Sequence, residues 1–156
     1  MARSRLHPSH VIHYTGIFAP MIPFAAANRV RLILLNRRDY PGSTPFSDTE
    51  LAELGSPDLE TRAKALAQQG IEIGLFLAWL VREERIPPMS TDRDGRRQGG
   101  VVLVAWSLAH TPLAGFLAHA NALPADAVRA LEPCLRAYCT FGKQRSLPAG
   151  STSRPS

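Results

Sequence analysis

Val101-Val102-Leu103-Val104-Ala105-Trp106, followed at once by Ser107-Leu108-Ala109, is the stretch that decides the fold. Six successive apolar residues are typical of a central parallel strand, because helices cover both faces of such a strand. Apolar runs separated by helical patterns surround it. We therefore expect an α/β protein with a short parallel sheet flanked by helices on both faces, and with further strands near residues 10–13 and 30–36.

Residues 57–85 carry the clearest helical pattern. Apolar and small side chains recur there at three- and four-residue spacing, with Ser56 as the expected cap and Pro57 in the first turn. The polar, glycine-containing stretch 91–100 predicts an exposed loop. Further helices are expected over residues 17–27, 108–120 and 124–138.

Length and composition describe one globular domain. The chain has 156 residues, 45% hydrophobic and 20% charged, which is enough for a single buried core. No apolar run approaches the roughly 18 residues that suggest a membrane span, and two cysteines make no disulfide framework. We expect a domain over residues 10–142, between a flexible N-terminus (1–9) and a disordered tail (143–156), in the cytoplasm.

The positive net charge does not indicate a nucleic-acid partner. The chain carries 18 basic and 13 acidic residues, for a net charge of +5. Five of the basic residues lie near the termini, at Arg3, Arg5, Lys143, Arg145 and Arg154. The rest of the chain is balanced, whereas a nucleic-acid binder usually concentrates its basic residues on one face of the fold.

Ser107 follows the predicted strand in a pattern of small residue, any residue, serine, any residue, small residue. A nucleophile elbow has this pattern, because strand and helix pack closely around a serine on a strained turn. Ala105 and Ala109 occupy the two small positions, and Trp106 and Leu108 flank the serine. The other interpretation is an ordinary serine that caps a helix after a buried strand.

With the loop Asn36–Pro45, this pattern resembles the α/β-hydrolase family, and more closely its fungal members, over about residues 10–140. Those proteins have a Gly-Trp-Ser-Leu-Gly-like elbow and a loop much like Asn-Arg-Arg-Asp-Tyr-Pro-Gly-Ser-Thr-Pro. The resemblance implies a serine hydrolase of small esters or amides with Ser107 as nucleophile. It also implies an oxyanion hole formed by the Leu108 N–H and by that of Tyr14 or Ile17.

The catalytic triad that the resemblance implies is incomplete. The family order is serine, acid, histidine. After Ser107 the chain offers only Asp126 and Glu132 as acids and His110 and His119 as bases, all on or beside the two following helices. We therefore expect a truncated fold with little or no hydrolase activity. The alternative is a non-catalytic pseudo-hydrolase or fragment that acts as a binding or packing module.

Metal and cofactor sites are not expected. His10 and His13 have a spacing that can bind metal, but on a strand the two side chains would point to opposite faces. The resemblance implies no cofactor. A small ester or amide is the expected partner, with no nucleic acid and no membrane span, and the oligomeric state stays open.

Overall fold

The computed structural model describes residues 15–142, which fall into two compact units that divide between Gly55 and Ser56. Helices predominate, and one parallel and one antiparallel pair of strands accompany them. This mixed α/β architecture confirms the coarse fold class. The strand expected at 10–13, the N-terminal segment 1–9 and the tail 143–156 lie outside the described residues.

The first unit opens with the helix that the sequence predicts over 17–27. A 3-10 helix at Thr15–Met21 continues directly into α1 at Ile22–Ala27. Pro20 lies inside the 3-10 helix, and Pro23 lies in the first turn of α1, where no intrahelical N–H bond is lost. The prediction of a helix is confirmed, and the first half of this helix is wound more tightly, as a 3-10 helix.

The prediction of a strand at residues 30–36 is wrong. After α1 the chain reverses at Arg29, whose φ of 55° is left-handed, and the Val30 N–H donates to the Ala25 carbonyl at 2.9 Å. Residues 30–37 adopt no regular secondary structure and pair with none of the described strands. An apolar β-branched run becomes a strand only when a second strand accepts its backbone hydrogen bonds.

Helix α2, Asp48–Leu54, is fixed at its start by a capping box. The Ser47 hydroxyl accepts from the Glu50 N–H, and the Glu50 carboxylate accepts from the Ser47 N–H at 2.7 Å. The same carboxylate accepts two hydrogen bonds from the Arg38 guanidinium, at 2.6 and 2.9 Å. That guanidinium lies 4.5 Å from the Phe46 ring centre, so the loop before α2 is anchored to the helix.

These bonds predict an unusually acidic Glu50. The Arg38 guanidinium, followed by the Ser47 N–H and hydroxyl, lowers the pKa of Glu50 from 4.5 to about 2. Because the folded pKa is the lower one, the stabilisation is complete above about pH 4.5 and is lost as pH falls towards 2. NMR titration should therefore place the carboxyl midpoint near 2, and Arg38→Gln should raise it. A wild-type midpoint at 4.5 would contradict the contact.

The second unit begins with α3, Leu59–Glu83, the helix predicted at 57–85. Its cap is Asp58, whose carboxylate accepts from the Thr61 N–H at 2.8 Å. The predicted cap, Ser56, instead accepts from the Asp58 N–H at 3.1 Å in the preceding turn. The helix therefore starts two residues later than predicted, because the Asp58 carboxylate reaches the first-turn donor.

The stretch 91–100, predicted as an exposed loop, contains most of a short hairpin. Strands β1, Ser90–Thr91, and β2, Arg97–Gln98, pair antiparallel, and all four residues are exposed. Within the turn the Asp92 carboxylate accepts from the Arg96 N–H at 2.8 Å, and this bond lowers the pKa of Asp92. The prediction of exposure is confirmed, but the hairpin was not predicted from the sequence.

The main sheet is the parallel pair β3, Val101–Trp106, and β4, Leu135–Phe141. The prediction of β3 is confirmed. The prediction of a helix over 124–138 is wrong for its second half, because residues 135–138 belong to β4, which pairs with β3. The crossover between the strands consists of a 3-10 helix at Ser107–Ala109, α4 at His110–Ala118, a 3-10 helix at Ala120–Ala122 and α5 at Ala125–Leu131.

The core of the second unit lies on one face of this sheet. Ala105 is 4% exposed and joins the cluster that α3, α4 and α5 form, whose members include Leu77, Leu113 and Phe116. On the opposite face Val104 is 53% exposed. The expectation of helices on both faces is therefore wrong for the second unit, within the residues that the structure describes.

Candidate functional site

Ser107 lies where β3 ends and the helical crossover begins, as the elbow pattern predicts. Its side chain is exposed, and its φ is +53°. A serine rarely adopts positive φ, because its Cβ then crowds the backbone, and such strained residues concentrate at functional sites. The strand, the strained turn and the helix that an elbow requires are all present around this residue.

The end of β4 lies beside Ser107. Trp106 is aligned with Phe141 in the parallel register, so both strands end at the same edge of the sheet. The next residue, Gly142, is in close contact with the serine: a Cβ built on it would lie 3.3 Å from Ser107 N and 3.4 Å from Ser107 Cα. A side chain at position 142 would therefore crowd the backbone of Ser107, and glycine avoids this.

The two alanines of the elbow are accommodated without glycine. Ala105 is 4% exposed within the core, and Ala109 is half-buried and packs against the same core. A close approach of two helix backbones lies further along α4, where a Cβ built on Gly70 of α3 would lie 2.2 Å from the Gly115 carbonyl carbon. A methyl group at position 109 is therefore compatible with this strand–helix junction.

The oxyanion donors are only partly placed. Leu108 follows Ser107 at the start of the helical segment, where backbone N–H groups lack intrahelical acceptors, and its side chain is 69% exposed. Ile17 belongs to the 3-10 helix of the first unit, whereas Ser107 belongs to the second. Tyr14 lies outside the described residues. Both oxyanion donors therefore stay predictions.

His110 is bound to the backbone rather than to an acid. Its Nε2 lies 3.1 Å from the Phe141 carbonyl oxygen. A carbonyl only accepts, so Nε2 carries the proton in this contact, and in the neutral ring Nδ1 is then the acceptor. The histidine is held beside the same strand end as Ser107: its Cε1 lies 3.9 Å from a Cβ built on Gly142.

The acid that follows Ser107 most closely in the chain is occupied elsewhere. The Asp126 carboxylate accepts from the Arg82 guanidinium at 2.7 Å, and the same group donates to the Asp126 carbonyl at 2.7 Å. Hydrogen bonding to Arg82 lowers the pKa of Asp126. This carboxylate therefore serves an exposed bridge between α5 and α3, whereas His119 caps the end of α4.

Phe141 and Gly142 are site residues that the sequence reasoning missed. The helix predicted over 124–138 concealed the strand that delivers them to the serine. A usable signal was present in Tyr138-Cys139-Thr140-Phe141, because aromatic and β-branched residues favour strands over helices.

Comparison with known proteins adds no family assignment: no family model matches the chain, and neither curated proteins nor solved structures show significant similarity to it. Within residues 15–142, no group of three or more His, Cys, Asp or Glu side chains is arranged to hold a metal ion. Over the same residues, none of the helices combines the length and the apolarity needed to cross a bilayer.

Proposed function

We propose that this chain is an α/β-hydrolase-like protein in which Ser107 is a strained, exposed nucleophile for small esters or amides. The conformation of Ser107 is the observation that carries the proposal. A serine at φ +53° between a strand and a helix is held in a disfavoured conformation, and the residue is exposed to solvent. A serine that merely caps a helix has ordinary extended backbone and needs no such strain.

The chemistry proposed is attack of Ser107 Oγ on an acyl carbon. The carbonyl oxygen becomes an oxyanion, and the Leu108 N–H at the start of the helical segment is its donor. The hydroxyl proton passes to solvent water, because His110 is held by the Phe141 carbonyl and no acid is paired with it among residues 15–142. The alcohol or amine half of the substrate leaves as the acyl–serine bond forms. Reactive acyl groups with good leaving groups are therefore the preferred substrates.

A fluorophosphonate probe tests the nucleophile directly. We expect the folded wild-type chain to be labelled covalently on Ser107, with fluoride as the leaving group. Ser107→Gly should abolish labelling while preserving the fold, because glycine adopts positive φ without strain. Ser90→Ala, at an exposed serine of β1, should be labelled like the wild type. Far-UV circular dichroism of each variant separates loss of the nucleophile from loss of the fold.

A non-catalytic binding or packing module is the second candidate. The uncovered face of β3 favours it, since Val102, Val104 and Trp106 are 49%, 53% and 44% exposed. Apolar patches of this kind are typical of surfaces that contact a ligand or another protein. A folded wild-type sample that takes up no probe would support this candidate and would contradict the nucleophile proposal.

A further inference from the structure

The helical segment that opens the first unit has no polar face. Every residue from Ile17 to Ala27 is apolar, and within this stretch α1, Ile22–Ala27, contains no buried residue. A helix that is apolar all round normally lies inside a protein core or in a membrane, because hydrophobic side chains project from all of its sides. The surroundings of this segment therefore require an explanation.

Large hydrophobic side chains are exposed along this segment and just after it. Phe24 is 71% exposed, Ile22 55% and Met21 46%, and Val30 beyond the reversal is 60% exposed. Among residues 18–55, none is buried, so the described part of the first unit has no interior of its own to receive them. These four exposed apolar side chains lie within ten residues of one another in the chain, between Met21 and Val30.

Positive charge accompanies the apolar residues. Residues 15–38 contain four arginines and no acidic residue. Two of them, Arg29 and Arg31, are exposed and flank Val30, directly after α1. Arg38 lies at the other end of the unit, where it pairs with Glu50. The exposed apolar side chains and the two exposed arginines together are called the apolar–basic surface below.

We propose that the apolar–basic surface binds anionic lipid membranes peripherally. Its helices span 7 and 6 residues, short of the roughly 20 that cross a bilayer, but suited to lying in the interface. Apolar side chains enter the boundary between headgroups and acyl chains, while arginines bind the lipid phosphates. Arg29 follows Asn28, the cap residue of α1, so this charge lies within two residues of the end of the apolar helix.

Other partners match this surface less well. A nucleic acid would meet the arginines with its phosphates but would leave Phe24 exposed to water. A second copy of the chain would bring Arg29 and Arg31 against identical charges, and like charges facing each other oppose association. An anionic bilayer would bury the apolar side chains of this surface and would bind its arginines through the lipid phosphates.

Vesicle co-sedimentation of the whole chain tests the proposal. We expect binding to vesicles of equal parts phosphatidylserine and phosphatidylcholine, and little binding to phosphatidylcholine alone. Phe24→Ser should weaken binding at least about tenfold, because a large buried apolar side chain is lost. Arg29→Asn, which tolerates positive φ, should weaken it about fivefold. Leu59→Ser is the matched control, since Leu59 is 73% exposed in the second unit and should not matter.

Four outcomes would overturn the proposal. They are absence of binding to the anionic vesicles, equal binding to both vesicle types, wild-type binding by Phe24→Ser, and loss of binding in Leu59→Ser.

Sedimentation without vesicles tests whether a second copy of the chain binds this surface. A dimer that Phe24→Ser dissociates would assign the surface to self-association instead. Binding to duplex DNA that depends on Arg29 but not on Phe24 would assign it to nucleic acid. Circular dichroism confirms that each variant is folded.

Discussion

The purified chain should hydrolyse a nitrophenyl acyl ester about a millionfold more slowly than a serine hydrolase with a complete triad. Under the proposed function the Leu108 N–H at the helix start is the oxyanion donor, and such a donor together with binding leaves roughly 10³–10⁴-fold acceleration over water. The rest of the acceleration needs a histidine oriented and stabilised by an acid. His110 is instead bound to the Phe141 carbonyl, and Asp126 is bound to Arg82.

Two variants determine the source of any residual rate. Ser107→Gly should abolish formation of an acyl-enzyme, since the nucleophile is removed without loss of the strained turn. Any rate that remains then comes from the oxyanion donor and binding alone. His110→Gln should change the wild-type rate less than about threefold, because the amide can still donate to the Phe141 carbonyl. Turnover near that of a full-triad enzyme, abolished by His110→Gln, would show that His110 serves as the base without a paired acid.

Gly70→Ala should destabilise the second unit by at least about 2 kcal/mol, which lowers Tm by about 10 °C. Gly70 is buried where α3 crosses α4, and a Cβ there would lie 2.2 Å from both the Gly115 carbonyl carbon and the Phe116 nitrogen. These are backbone atoms, so the helices must separate, and Phe116 and Leu113 lose contacts in the core. The better helix propensity of alanine offsets only about 1 kcal/mol.

Gly74→Ala is the matched comparison on the same helix. A Cβ there would approach the Leu123 methyl groups at 2.8 Å, and a side-chain end can move aside. Thermal unfolding followed by circular dichroism should therefore show a smaller loss for Gly74→Ala than for Gly70→Ala. Equal stability of the two variants would mean that α3 and α4 do not approach as closely as the structure shows.

The position of the candidate site was predictable from sequence, because it depends on local patterns. A continuous apolar run specifies a strand, and Ser107 with small neighbours specifies a tight turn into a helix. Exposure of the serine and its positive φ agree with that prediction. The residues beside the serine were not predictable, because Phe141 and Gly142 lie at the end of β4, which is distant from β3 in the sequence. The aligned residues Val101 and Leu135 are 34 positions apart.

Two segments show how tertiary partners override local preference. Residues 30–36 have the composition of a strand, yet no described strand pairs with them, and they remain outside any sheet. Residues 135–138 were predicted as helix, yet β3 offers them an edge, and they become β4. A strand is stabilised by hydrogen bonds to another part of the chain, so its own sequence does not determine whether it forms.

By itself the sequence determined α3, β3, the strained turn at Ser107 and the apolar character of the opening helix, since each depends on residues close together in the chain. Only the tertiary structure decided that β4 pairs with β3, that His110 binds the Phe141 carbonyl and that α3 and α4 meet at Gly70 and Gly115. Each of these contacts joins segments distant in sequence. Their free energy depends on which partner surface is within reach, and local periodicity carries no information about that.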